Sequence, residues 1–124
     1  INPVHVEWAS DEAMKARRGQ FSTGSRYHAV VHEMAELAYH QAIGTERFST
    51  GSKGYNLDEL AFQQRIKKKP KEIRDAVSEY AMRNHSEFVC EVFAALMLGR
   101  EELLGNKRVM EIYRELEGPR QFED

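Results

Sequence analysis

The longest regular pattern in the chain runs through residues 25–43. At about 100° per residue, Val30, Val31, Met34, Leu37, Ala38 and Ala42 share one side of a helix, which Gln41 interrupts near its end. His32 and Glu36 lie within about 40° of each other on the other side, one turn apart, and Ala29, Glu33 and His40 widen that side. The pattern predicts a long helix that buries its apolar side and turns two histidines and two carboxylates the other way. The polar stretch Phe21-Ser22-Thr23-Gly24-Ser25 offers N-caps, and Gly44 ends the helix.

The remaining chain divides by the same signals. Residues 1–8 alternate in part, with Val4, Val6 and Trp8 on one face, and are the best strand candidate. Ser10 caps a short helix over 10–18, with Asp11 and Glu12 in its first turn. Phe48-Ser49-Thr50-Gly51-Ser52 repeats the five residues of 21–25, by chance or as reuse of a helix-entry loop, and 45–55 is expected to be an exposed loop. Asn56 is the expected cap of a helix over 56–69 that Pro70 stops, followed by a helix over 71–82. Asn84 interrupts, a helix over 85–98 ends at Gly99 with Val89, Val92, Phe93 and Leu96 inward, and a last helix covers 106–117 with Val109, Ile112, Tyr113 and Leu116 inward. The expected fold is mainly α: about six helices with at most one or two short strands.

Composition narrows this picture. The 124 residues suffice for one core and one domain. A net charge of −2 provides no field to capture nucleic acid, and the Lys67-Lys68-Lys69-Pro70-Lys71 run reads as a solvated helix end. The single cysteine, Cys90, excludes an internal disulfide and a cysteine-based zinc knuckle, and reads as a small buried hydrophobe. No apolar run approaches the ~18 residues of a membrane span, and no signal-peptide pattern is visible. Beginning at Ile1 and not Met, the sequence is expected to be a domain of something longer. It carries no signal of oligomeric state.

The chemistry concentrates on the first helix. His-Glu-x-x-His on a helix is the zinc metallopeptidase pattern, with ligands at i and i+4 and a glutamate beside the metal as base. Here the motif is His32-Glu33-x-x-Glu36. Two ligands do not make a catalytic site, which needs three and an open position for water. The third is sought in the segment 78–91, where Glu87 and Glu91 stand one turn apart on the side of their helix away from Val89, Val92 and Phe93.

That segment, Ser78-Glu79-Tyr80-Ala81-x-x-Asn84-x-x-Glu87-Phe88-x-x-Glu91-x-Phe93-Ala94, resembles the third-ligand segment of the anthrax lethal factor type of zincin metallopeptidase, a group of toxin domains and domains of phage and mobile-element proteins. Tyr80 stands seven positions before Glu87, as in the family, and Val30-Val31-His32-Glu33 matches the run into the family's metal helix. The resemblance spans about residues 27–97 and rests on two separated motifs in order. It implies a zincin-like domain with His32 as metal ligand, Glu33 as general base, Glu87 as third ligand and Tyr80 as donor to the oxyanion. It also implies a protein or peptide substrate and a parent protein secreted or delivered into a host cell.

The departure is at the second ligand, where the family has Gly-His and this chain has Ala35-Glu36. A second carboxylate neutralises a divalent ion, weakens it as a Lewis acid, and moves preference from Zn2+ toward harder ions such as Mn2+. Three readings stay open: a hydrolytic metal site, a weak or structural metal site, and a degenerate site without metal in a non-catalytic binding or targeting module. His40, about 12 Å along the axis from His32, is too far to share one ion and reads as a residue that supports a ligand from behind or faces solvent. Glu91 reads as the acceptor that orients His32. Plain core packing is the alternative for Tyr80, His85 is expected to be exposed, and His5 and His28 carry no pattern.

Overall fold

The computed structural model describes residues 20–120, so the strand expected over 1–8 and the helix expected over 10–18 lie outside the described residues. Within them the chain forms six α-helices: α1 (His28–Ile43), α2 (Thr45–Phe48), α3 (Lys53–Ile66), α4 (Pro70–Ala76), α5 (His85–Met97) and α6 (Lys107–Glu115). Short 3-10 turns at Tyr80–Met82 and Glu101–Gly105 flank α5. No strand occurs among the described residues, and the architecture is mainly α as the periodicity predicts.

Local chemistry explains most boundaries. Asn84 caps α5 by accepting from the Glu87 amide at 2.8 Å, and Asn106 caps α6 by accepting from the Val109 amide at 3.1 Å. Gly44 and Gly99 follow α1 and α5 with φ of +88° and +103°, a region open to glycine at little cost. Several expected boundaries move. The loop expected over 45–55 contains α2 and the start of α3, and α3, expected to reach 69, ends at Ile66. The cap of α3 is Ser52, whose Oγ accepts from the Tyr55 amide, so Asn56 sits inside the helix. The helix expected over 71–82 is split. Pro70 is the first residue of α4, where its missing N–H has no cost, and α4 stops at Ala76. The Arg100 guanidinium takes the carbonyls of Ala76 and Val77 at 2.7 and 3.2 Å, replacing helical partners that those groups would otherwise need. Ser78 then accepts from the Ala81 amide and starts the next turn.

The core is built around α5, which is buried without interruption from Phe88 to Leu96. Tyr39, Phe62, Phe88, Val92, Ile112 and Tyr113 belong to the larger apolar cluster, and Val31, Ala35, Cys90, Phe93 and Ala94 form a smaller one between α1 and α5. Here α1 departs from its expected orientation. Its buried residues are His28, Val31, Ala35 and Tyr39, while Met34 and Leu37 are 40% and 46% exposed. The helix is turned by about 90° from the position its apolar stripe predicts. The side bearing His28 and His32 faces α5, for a reason that lies in the site.

Tyr39 anchors the far end of α1 through its hydroxyl, which donates to the Leu116 carbonyl at 2.8 Å; both residues are fully buried. Tyr39→Phe leaves that carbonyl without its donor and is expected to lower unfolding stability by about 1–3 kcal/mol. Chemical denaturation measures the change, and a loss below about 0.5 kcal/mol would show that the bond carries no weight.

Candidate metal centre

One carboxylate organises the site. Glu91 is fully buried in the middle of α5. Its Oε1 accepts from the Ser22 amide and the Ser78 hydroxyl, each at 2.8 Å. Its Oε2 lies 2.6 Å from His28 Nε2 and 3.0 Å from His32 Nδ1. The Ser22 hydroxyl also donates to the Glu91 backbone carbonyl at 2.6 Å, which pins the 21–25 loop onto α5. Both carboxylate oxygens are therefore filled by four donors from three separate segments, the condition for a buried charge to be tolerated.

His32 is held by its Nδ1, so its Nε2 points away from Glu91. There it meets Glu87 Oε2 at 2.9 Å and Glu36 Oε1 at 3.5 Å. Glu87 comes from the first turn of α5, placed by the Asn84 cap, and Glu36 from the next turn of α1. The contact to Glu87 lacks hydrogen-bond alignment, and Glu87 Oε2 is a buried oxygen with no hydrogen-bond partner among the described residues. Three electron-pair donors thus converge, and such a set is stable only with a cation among them. Without metal that cation is a proton. Burial pushes His32 down, but the carboxylates of Glu36, Glu87 and Glu91 outweigh it and raise it to about 12 from an ordinary 6.5. Burial likewise pushes Glu91 up, and His28 and His32 outweigh that, holding it at about 2.

Two groups of donor atoms lie within 4.8 Å of one another, close enough to hold a metal ion: His28, His32 and Glu91, and His32, Glu36 and Glu87. They differ in what is left to bind. In the first group Glu91 is saturated by hydrogen bonds. In the second, Glu87 Oε2 is orphaned, and the donor separations bracket the roughly 3.4 Å expected between two ligands each about 2.1 Å from a tetrahedral zinc. The second group fits a metal ion.

The other residues singled out from sequence fall as follows. Tyr80 lies on the 3-10 turn with its ring edge-on to His32, centroids 5.7 Å apart, and the Arg83 guanidinium over its face at 4.7 Å. Burial and the nearby Glu87 charge raise its hydroxyl above the usual tyrosine range. Glu33 is half-buried and makes no hydrogen bond or ion pair to another described residue. His40 does not join the cluster: it bonds Thr45 Oγ1 at 2.9 Å and stacks on Phe48. His85, expected at the surface, is 1% exposed, with Glu59 Oε1 accepting from its backbone amide and lying 2.8 Å from Nδ1. Cys90 is buried, and burial first, then the surrounding carboxylates, push its thiol up, away from nucleophile chemistry. His28 is the residue that pattern reading passed over. The signal for it was its i, i+4, i+8 spacing with His32 and Glu36. No known family model, curated protein or solved structure matches the chain.

The opposed shifts set a pH window for the metal-free protein. Glu91 is depressed, so its stabilisation is full above 4.5 and is lost as pH falls toward about 2. His32 is raised, so its stabilisation is full below 6.5 and is lost as pH rises toward about 12. Chelator-treated protein is expected to unfold at its highest temperature between these limits, 4.5 and 6.5. The difference in unfolding temperature from Glu91→Gln should shrink as pH falls below 4.5. A difference that stays constant down to pH of about 2 would contradict the assignment.

Proposed function

We propose that this domain is a metal-dependent hydrolase of the zincin-like kind, acting on peptide bonds, with His32, Glu36 and Glu87 holding the ion. The observation that carries the reading is the orphaned Glu87 Oε2 facing His32 Nε2 beside Glu36. A neutral imidazole and two carboxylates suit Zn2+, and the oxygen-rich balance also suits Mn2+. A divalent ion there supplies Lewis acidity toward a water and a peptide carbonyl.

The chain's own groups do the rest. Glu33, next to His32 on α1 and free of competing partners among the described residues, takes a proton from the attacking water and returns it to the leaving amine. Tyr80 donates its hydroxyl to the oxygen that gains charge. What supports this role is the Tyr80 ring beside His32, with the Arg83 guanidinium over its face. Glu91 keeps His32 turned so that Nε2 faces the ion.

A second reading is a binding module without turnover. What favours it is the same Glu36: two carboxylates cancel the ion's charge and reduce its pull on water. Glu36→His separates the two. It should create or raise peptide hydrolysis if only the second ligand limits the site, and should leave the protein inactive if the domain only binds.

Stripped protein reloaded with Zn2+ or Mn2+ is expected to hold about one equivalent by elemental analysis, and Glu87→Ala to hold none. No metal in the unsubstituted protein overturns the reading. Glu33→Gln should keep its metal and lose peptide hydrolysis by about 10²–10⁴-fold; hydrolysis at the original rate would remove Glu33 from the role of base.

A further inference from the structure

The hydrogen bonds around Glu91 extend one step beyond it, and their directions can be followed atom by atom. Glu91 is an ionised carboxylate whose Oε2 can only accept, so the His28 nitrogen 2.6 Å from it, Nε2, carries a proton and donates it. His28 Nδ1, on the other side of the ring, lies 3.0 Å from Thr23 Oγ1, which also accepts from the Ser25 amide at 3.3 Å. Glu91 Oε2 also takes the Nδ1 proton of His32 at 3.0 Å. His32 Nε2 is then the atom that faces Glu36 and Glu87, protonated in the metal-free protein and free to offer its lone pair once an ion replaces that proton. His28 is 3% exposed, tilted against the Phe21 ring at 5.2 Å, and four residues before His32 on the same helix. No hydrogen bond or ion pair joins it to Glu36 or Glu87; it meets His32 through the shared Glu91 oxygen and through a tilted ring contact with centroids 6.0 Å apart.

We propose that His28, with Thr23 behind it, is a positioning residue for the metal centre: its Nε2–H holds Glu91 Oε2 where that oxygen fixes the orientation of the His32 ring. This rests on the metal reading of His32, Glu36 and Glu87 and adds a residue to it. Without the His28 donor, Glu91 Oε2 has one imidazole in place of two and is free to swing toward other donors. The His32 ring then loses the fixed acceptor that aims Nε2.

The test uses side chains that differ in where they put an N–H. Glutamine carries its amide close to the Nε2 position and reaches Glu91; asparagine carries it near the Nδ1 position and stops short; leucine has none. Full-length chain with His28→Gln, His28→Asn or His28→Leu is stripped and titrated with Co2+, following the visible d–d absorption, and with Zn2+ against a chromophoric chelator. Circular dichroism establishes that each variant is folded. Asparagine and leucine are expected to weaken metal affinity by about 10–100-fold and to change the Co2+ spectrum, while glutamine restores most of the affinity and the original spectrum. If leucine does not fold, the comparison of glutamine with asparagine decides alone. Equal affinity and equal spectra in all folded variants overturn the role of His28 while leaving the metal centre in place. Loss in glutamine as severe as in asparagine reduces His28 to a packing residue and overturns the proposal. Failure of the unsubstituted protein to bind either ion overturns the metal reading itself, and the role of His28 with it.

Discussion

The buried carboxylate of Glu91 sets the conditions that the surrounding structure satisfies. A charge at the centre of an apolar helix is tolerated only when its oxygens are filled, because an unpaired one costs several kcal/mol. Glu91 has four donors, from the 21–25 loop, from Ser78 after α4, and from two histidines of α1. Each requirement reshapes the segment that meets it. The loop is pinned to α5, the chain leaves helical geometry before Ser78, and α1 turns its histidines inward.

The rotation of α1 shows which effect wins. Turning the stripe of Met34 and Leu37 toward solvent forgoes part of the roughly 1.5–3 kcal/mol that each would contribute by full burial, and both remain partly covered. Withdrawing His28 and His32 from Glu91 would strand a buried charge, at a cost of roughly 3–5 kcal/mol. The small side chains of Val31 and Ala35 then fill the narrow seam against Cys90, Phe93 and Ala94, while the anchored Tyr39 packs into the larger cluster. A helix that looks amphipathic in one direction is therefore docked in another.

The same constraint gives the site its character. Holding one imidazole nitrogen against Glu91 leaves the other facing Glu36 and Glu87, so a structural need and a ligand geometry share a single ring. The cluster demands a cation. The choice between proton and metal is then a competition at His32 Nε2, governed by pH and metal supply.

What could be read from the chain without its fold was whatever depends on neighbours in sequence. Asn84, Gly99 and Asn106 cap or end helices through atoms within a few residues, so the bounds of α5 and α6 were legible. The i, i+4 spacing put His32 and Glu36 on one side of α1, and Glu87 and Glu91 on one side of α5. What only the tertiary structure decided depends on contacts between distant segments. Arg100 and Ser78 broke the helix expected over 71–82, and Glu59 drew His85 inside. His28 became a partner of Glu91 across 63 positions of chain. Helical periodicity shows which side chains share a face, but where that face points is settled by the polar groups on the opposing helix, because a buried charge constrains orientation more strongly than two half-exposed apolar side chains do.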